Sequence, residues 1–307
     1  MKKSFYILTG ATSGMGLHIA QALSRERNAV IVVGVRNTKN VGALRSAVDA
    51  KQLLVRQLDL DSLASVSAFA ELLLSELPEN AELSSVICNA GLQLVGKKEM
   101  VTPKIERTFL VNYLGHFHLV ELLLPHLKKG GSVVTVGSGT HNPADKIAKK
   151  FDFRGGPFPD AERVARGDLG TTGKEMLLGM DRYATSKLCA IYHAVAMAEE
   201  VAPEQVRFYS FDPGLMPGTG LARDRSAIER FGWRYIVPHL RHLISGISTP
   251  EQSANSMVKN CVEGKQFPSG SYVEFTGKHA PRSEVSLDLA TAQSLVKYSR
   301  DLLAELQ

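Results

Sequence analysis

Cysteine is scarce in this chain, and its placement excludes several classes of protein. The 307 residues include three cysteines, Cys88, Cys189 and Cys261, which are widely spaced and form no Cys-x-x-Cys pair. Such a set does not suit a disulfide-stapled secreted domain. No grouping of His, Asp and Cys has metal-ligand spacing either. The sequence therefore predicts reduced thiols in a cytoplasmic protein, and no metal site.

Long apolar runs and blocks of one charge are also missing. No stretch approaches the roughly 18 uninterrupted apolar residues of a membrane span. The run Phe5–Leu8 is too short for the core of a signal peptide, and no cleavage site follows it. The formal charge is +5, with acidic and basic residues interspersed. We therefore expect no transmembrane segment and no nucleic-acid partner, whereas an anionic small ligand suits the charge.

Short apolar runs alternate with longer amphipathic segments through most of the chain. The candidate strands are Phe5–Leu8, Ala29–Val35, Leu53–Leu58, Ser85–Cys88, Ser132–Val136, Val206–Phe211 and Tyr272–Phe275. The candidate helices are Leu17–Leu23, Leu63–Leu77, Ile105–Leu127 and Tyr183–Ala198. This alternation indicates βαβ units, and near-continuously apolar strands suit a sheet covered on both faces. The sequence predicts an α/β fold: one Rossmann domain over residues 1–307, with a doubly wound, mainly parallel sheet of about seven strands.

Two segments interrupt the alternation, at about residues 140–181 and 215–249. Each follows a predicted strand, and ligands of doubly wound sheets bind beyond the carboxyl ends of the strands. We therefore expect both to be substrate-side insertions. Met216, Phe231 and Trp233 in the second segment indicate an apolar lining.

A glycine-rich turn follows the first predicted strand and leads into a helix. It reads Thr9-Gly10-Ala11-Thr12-Ser13-Gly14-Met15-Gly16. Glycines let a pyrophosphate approach the backbone closely, and a helix N-terminus presents free N–H groups to it. A tight turn without a ligand is the alternative, and Thr12 and Ser13 fit either as phosphate contacts or as turn residues. The place of the motif on the first βα turn favours a dinucleotide.

The end of the second predicted strand indicates which dinucleotide. NAD-binding domains commonly place an acid there for the ribose 2′-hydroxyl, but the chain has no acid between Glu26 and Asp49. Arg36 stands there instead, and a guanidinium suits a 2′-phosphate. A surface arginine that caps the next helix is the alternative. The sequence favours NADP(H) as the cofactor.

Three motifs in this order resemble the short-chain dehydrogenase/reductase family. They are the turn at 9–16, Cys88-Asn89-Ala90-Gly91 after the fourth predicted strand, and Tyr183-x3-Lys187. The resemblance implies that Tyr183 is the general acid/base and that Lys187 lowers its pKa and holds the nicotinamide ribose. It implies a substrate hydrogen bond from Ser138.

The resemblance also implies several further contacts. Asn112 would anchor a proton-relay water, and Asp59, in Leu-Asp-Leu, would reach the adenine. Alternatively, Asn112 bridges backbone inside its helix, and Asp59 belongs only to a helix N-cap. The cofactor-binding residues implied in all are Gly10, Thr12, Ser13, Gly14, Met15, Gly16, Arg36, Asp59, Leu60, Asn89, Ala90, Gly91, Tyr183, Lys187, Pro213, Gly214 and Thr219.

The interval of 45 positions between Ser138 and Tyr183 resembles the retinol dehydrogenase-like and protochlorophyllide reductase-like branch. The phrases at 112–117, 186–189 and 219–223 are similar to that branch as well. Ser138 matches carbonyl-reducing members, where protochlorophyllide reductases carry threonine. We therefore expect a carbonyl/alcohol oxidoreductase acting on a bulky, lipophilic small molecule. A light-dependent C=C reductase and a non-catalytic NADP(H) sensor or scaffold are the alternatives, and either a homodimer or a monomer fits.

Overall fold

The computed structural model describes residues 2–216 and 246–306. Within them the main sheet has seven strands: β1 (Ser4–Thr9), β2 (Ala29–Val35), β3 (Leu53–Gln57), β4 (Glu82–Cys88), β7 (Leu127–Val136), β8 (Val206–Asp212) and β9 (Ser271–Glu274). Every pairing between them is parallel, in the order β3-β2-β1-β4-β7-β8-β9. A two-stranded antiparallel hairpin is formed by β5 (Met100–Thr102) and β6 (Ile105–Glu106). The predicted parallel α/β fold is confirmed.

Helices cover both faces of the sheet, because alternate residues of each strand point to opposite sides. On one face, α3 (Leu63–Glu76), α5 (Gly115–Leu123), α8 (Glu175–Glu200) and α10 (Leu289–Leu306) pack with Phe5 and Ile7 of β1. On the other face, α1 (Gly14–Leu23), α2 (Gly42–Ala47) and α9 (Pro250–Met257) pack with Tyr6 and Leu8. The strand order reverses direction at β1, so a crevice lies between the carboxyl ends of β1 and β4.

The segment expected as one helix, Ile105–Leu127, is divided into several elements. Its first two residues are strand β6, and α4 (Arg107–Phe109) follows, with the Glu106 carboxylate accepting a hydrogen bond from the Phe109 amide at 3.0 Å. A π-helical turn at Leu110–Leu114 precedes α5, and Leu127 already belongs to β7.

The first interrupting segment contains regular structure. The short helices α6 (Lys146–Lys150) and α7 (Ala161–Ala165) lie within it. Helix α8 begins at Glu175, two turns before the predicted start at Tyr183. The predicted second segment lies mostly outside the described residues, as do Phe231, Trp233 and Thr219. No helix in the described ranges is both long and apolar enough to cross a membrane.

Candidate active site

The glycine-rich turn between β1 and α1 depends on backbone geometry that favours glycine. Gly10 and Gly14 have φ angles of +68° and +57°. A Cβ atom on Gly16 would lie 2.2 Å from the Gly10 carbonyl oxygen. Ser13 is the N-cap residue of α1, yet its side chain makes no capping hydrogen bond. The first N–H groups of α1 are therefore not satisfied by that hydroxyl, which suits an anion at the helix N-terminus.

Asn89 and Ala90, at the end of β4, brace this turn. The Asn89 side-chain amide donates to the carbonyl oxygens of Thr9 and Gly10 at 2.9 and 3.1 Å. The Ala90 amide donates to the Thr9 hydroxyl at 2.9 Å, and that hydroxyl lies 2.9 Å from Nε2 of His116. The strand-end motif thus fixes the shape of the turn through side-chain and backbone hydrogen bonds.

Asn112 connects three parts of the structure from the π-helical turn. Its side chain accepts from the Leu92 amide and donates to the Leu92 carbonyl, both at 2.8 Å. It also donates to the Ser186 hydroxyl on α8 at 2.9 Å. The side chain therefore joins the loop after β4 to the helix that carries Tyr183 and Lys187.

Tyr183 and Lys187 share one buried face of α8, as their spacing predicts. The Lys187 ammonium lies 5.6 Å from the centre of the Tyr183 ring and donates to the Val136 carbonyl oxygen at 3.1 Å. Only 5% of Lys187 and 7% of Tyr183 is exposed. Ser138 follows Val136 by two residues at the same sheet edge, and a Cβ on Gly91 would lie 3.5 Å from the Lys187 nitrogen. The carboxyl ends of β4 and β7 thus meet α8 at this point.

Burial dominates the protonation of the pair. It lowers the pKa of Lys187 to about 8, against the opposing effect of the Asp212 carboxylate. Burial, followed by the charge of Asp212, raises the pKa of the Tyr183 phenol above its usual value. That direction is opposite to the lowering expected from Lys187. The phenol is therefore protonated at neutral pH, which is the form that donates a proton.

The charge of Asp212 acts on both residues of this pair, and Tyr272 hydrogen-bonds to Asp212. Sequence reasoning missed both residues. The Tyr272 hydroxyl donates to the Asp212 carboxylate at 2.9 Å, and the Gly214 amide donates to the other carboxylate oxygen at 2.9 Å. The His141 ring packs edge-on against Tyr272 with ring centres 5.4 Å apart, and its Nδ1 donates to the Ser138 carbonyl at 2.7 Å. The signal that could have indicated Asp212 is its position directly before Pro-Gly, at the end of an apolar strand.

The turn at Pro213-Gly214 is tightly held. Gly214 has a φ of +69°, which favours glycine. A Cβ at this position would also lie 2.7 Å from the Phe275 ring. The Pro213 carbonyl accepts hydrogen bonds from the hydroxyls of Ser248 and Ser253.

The predicted adenine-end residues lie at the carboxyl ends of β2 and β3. The Asp59 carboxylate accepts from the Asp61 amide at 3.1 Å, whereas Ser62 is the N-cap residue of α3. Leu60 is buried. Arg36 is exposed, and its guanidinium makes no hydrogen bond or ion pair within the described part of the chain.

The segment after α6 crosses helix α8 at Tyr183. The Phe153 and Tyr183 ring centres are 6.1 Å apart, and the Thr185 hydroxyl donates to the Pro157 carbonyl at 2.9 Å. Arg154 forms a bidentate ion pair with the buried Asp181. This segment therefore forms a wall beside the phenol. Among the described residues, no cluster of His, Cys, Asp or Glu could hold a metal ion.

Comparisons with known proteins agree with this arrangement. The family described as short chain dehydrogenase matches residues 5–145, which include the glycine-rich turn, Asn89–Gly91 and Asn112. Protochlorophyllide reductase of Pisum sativum is 28% identical over 316 residues, which span 97% of this chain and 76% of that protein. Retinol dehydrogenase 12 of Bos taurus is 29% identical over 273 residues, 85% of this chain and 76% of that protein.

Over residues 5–145, the chain matches the short chain dehydrogenase family.

Together with relatives that are named as a reductase and a dehydrogenase and that cover most of this chain, the match supports a short-chain oxidoreductase. The fold agrees: the NADPH-bound carbonyl reductase from chicken fatty liver superposes with a TM-score of 0.67, covering 92% of this chain and all of that one at 17% identity. The matched region of the family ends at residue 145, so Tyr183 and Lys187 lie beyond it. The matches to the pea protochlorophyllide reductase and the cattle retinol dehydrogenase extend past that point.

Proposed function

We propose that this protein is an NADP(H)-dependent oxidoreductase that reduces or forms a carbonyl group on a bulky, lipophilic small molecule. The observation that carries the proposal is the buried Lys187 ammonium over the Tyr183 ring, next to the strand end that bears Ser138. A protonated phenol and a hydroxyl at one sheet edge are the donors that a developing alkoxide requires.

The residues of this chain would divide the chemistry as follows. Tyr183 donates its phenolic proton to the substrate oxygen, and the Ser138 hydroxyl donates a hydrogen bond to that oxygen. Lys187, as an ammonium, holds the ribose hydroxyls and stabilises the phenolate left behind. Asn112 positions α8 through Ser186 and is expected to anchor a proton-relay water. The nicotinamide, when bound, supplies the hydride.

The described residues fit a dinucleotide. The uncapped N-terminus of α1 and the glycines at 10, 14 and 16 suit a pyrophosphate. The free guanidinium of Arg36 at the carboxyl end of β2 suits a 2′-phosphate, which supports NADP(H) over NAD(H). Asp59 lies at the carboxyl end of the next strand, where the adenine would bind.

The proposal of a lipophilic substrate rests on the wall beside Tyr183 and on a relative. Phe153 packs against the Tyr183 ring from the segment after α6. The relative from Bos taurus is named as a retinol dehydrogenase, and retinol is a bulky, lipophilic alcohol.

The direct test is NADPH oxidation in darkness with a panel of bulky aldehydes and ketones. We expect Tyr183→Phe to lower kcat by about 10²- to 10⁴-fold, because the proton donor is lost, while NADPH still binds. Tyr298→Phe, which removes a half-buried phenol hydroxyl on α10, is the matched control and should retain activity. Turnover that survives in Tyr183→Phe would refute the assigned role.

A C=C reductase is the second candidate, because the pea protochlorophyllide reductase matches 97% of this chain. Anaerobic assays in light and in darkness separate the two. A strict requirement for light would favour the C=C reductase over the carbonyl reductase.

A further inference from the structure

Lys187 is a buried cation whose immediate neighbours do not neutralise it. Its ammonium donates to the Val136 carbonyl oxygen, and in the described part of the chain it forms no ion pair with a carboxylate. Burying a charge without compensation is costly, so the ammonium requires negative charge nearby.

Asp212 supplies a carboxylate at the same edge of the sheet, where β8 ends. Val136 of β7, whose carbonyl oxygen accepts from Lys187, pairs in register with Phe211 of β8. Asp212 is the next residue of β8 after Phe211. Its Oδ2 atom lies 3.5 Å from the point where a Cβ on Gly139 would stand, so it faces the turn that follows Ser138. It forms no ion pair among the described residues. Its partners are the neutral Tyr272 hydroxyl and the Gly214 amide.

We propose that Asp212 is the counter-charge of this active site and a positioning residue for Lys187, held in place by Tyr272 and the Gly214 amide. The electrostatics agree in direction: burial lowers the pKa of Lys187, and Asp212 is the carboxylate that raises it again. The same charge raises the pKa of Tyr183, so it also favours the protonated phenol needed for carbonyl reduction.

Several other groups act on the same carboxylate. Burial raises the pKa of Asp212, the Gly214 amide and the Tyr272 hydroxyl lower it, and nearby acids raise it further. His141 packs on Tyr272 and is buried, which lowers the pKa of its ring to about 4, so it stays neutral in the working range. The ionisable groups around Asp212 are thus Asp145 before α6, His141 after β7, Tyr183 and Lys187 on α8, and Tyr272 and Glu274 on β9, with Arg282 acting on His141.

The test is the pH dependence of NADPH affinity, measured by the fluorescence of the bound nucleotide between about pH 7 and pH 10. It rests on the proposed function in that Lys187 is taken to hold the cofactor ribose. Binding should weaken as Lys187 loses its proton. In Asp212→Asn the weakening should move to lower pH by about 0.5 to 1 unit, because the compensating charge is gone. Asp301→Asn also removes one carboxylate, but from an exposed position on α10, so it should keep the wild-type midpoint.

Two controls keep the outcome decisive. Lys187→Met should abolish the transition, which identifies the titrating group. Asp212→Ser also removes the charge and serves if the asparagine variant does not fold. An unshifted transition in a folded, neutral Asp212 variant, or one that persists in Lys187→Met, overturns the assignment. A wild-type protein that binds no NADPH at any pH contradicts the proposed function instead.

Discussion

Arg36 at the end of β2 is the residue that we expect to set the preference for NADPH over NADH. Its guanidinium is exposed and has no partner within the described residues, so it is free to pair with a phosphate. Substituting Arg36 by Ala should raise KM for NADPH by about 10- to 100-fold, corresponding to one charge-assisted hydrogen-bonded contact. KM for NADH should change little, because that cofactor has no 2′-phosphate. Steady-state kinetics with both nucleotides measure the two changes in KM.

The matched control for this prediction is Arg27→Ala. Arg27 is also exposed and without a described partner, but it precedes β2 at the amino end of the strand. It should leave both KM values unchanged. An equal loss for NADPH in the two variants would show a general effect of surface charge.

Helix α1 and its preceding turn are where a single methyl group should do the most damage. In Gly16→Ala the new Cβ would lie 2.2 Å from the Gly10 oxygen and 2.6 Å from the Asn89 amide nitrogen. Either the turn or its brace must move, so we expect a loss of several kcal/mol of stability and of NADPH affinity, since overpacking commonly costs about 1 to 3 kcal/mol and more where backbone must shift. Chemical denaturation and nucleotide titration measure the two effects.

Gly42→Ala is the control for that substitution. Gly42 begins α2, and apart from its chain neighbours and its own helix backbone, no atom of the described residues lies within 4 Å of the position of its added Cβ. Alanine also reduces the entropy of the unfolded chain, so this variant should gain about 0.4 to 1 kcal/mol. A loss in Gly42→Ala would contradict the steric argument for Gly16.

The ion pair between Arg154 and Asp181 fastens the segment after α6 to helix α8. Asp181 is buried, whereas 39% of the Arg154 side chain is exposed. Arg154→Met should destabilise the protein by about 1 to 3 kcal/mol, because it leaves a buried carboxylate without its cation. The partial exposure of Arg154 keeps this cost below that of a fully buried pair. KM for the substrate should rise as Phe153 loses its fixed position against Tyr183. A double-mutant cycle with Asp181→Asn measures the coupling.

An exposed ion pair on the same segment serves for comparison. Arg166 and Glu162 pair at 2.8 Å on and just beyond α7, and 57% of the Glu162 side chain is exposed, whereas Asp181 is buried. Arg166→Met should cost less than about 0.5 kcal/mol. If the two arginine variants lose equal stability, the Arg154 pair does not act as a buried contact.

At the scale of the whole molecule, buried histidines should make the fold acid-sensitive: burial lowers the pKa of His118, and it lowers the pKa of three others further. Burial lowers the pKa of His116 and His141 to about 4 and that of His193 to about 3. Unfolded histidine titrates near 6.5, so the unfolded state binds more protons below that pH and stability falls. Each should cost about 2 kcal/mol between pH 6.5 and pH 5. Denaturant unfolding at pH 7.5 and pH 5 measures the difference.

Removing one of these titrating groups should reduce that difference by about 2 kcal/mol. His193→Leu suits this purpose, since the His193 ring packs among Tyr113, Phe117 and Phe208. His126→Gln is the control, because His126 is exposed and should not alter the pH response. Equal pH dependence in all three proteins would contradict the assignment.

The oligomeric state stays a prediction. A cytoplasmic location stays a prediction as well, since the pea relative is named as chloroplastic.

The local sequence determined much of this protein. Alternating apolar runs were sufficient for the seven parallel strands, because burial on both faces demands continuously apolar residues. The sequence also predicted the turn at Gly10–Gly16 and the pair of Tyr183 and Lys187, since close backbone approach and helical spacing are local properties.

Tertiary structure alone decided the electrostatics and the wall of the site. Asp212 and Tyr272 lie 60 positions apart in the chain, and only the adjacency of β8 and β9 brings them together. The direction of the Tyr183 pKa likewise depends on its burial and on Asp212, which outweigh the effect expected from Lys187. Dehydration and through-space charge depend on which elements pack against a residue, and that is not encoded within any one segment.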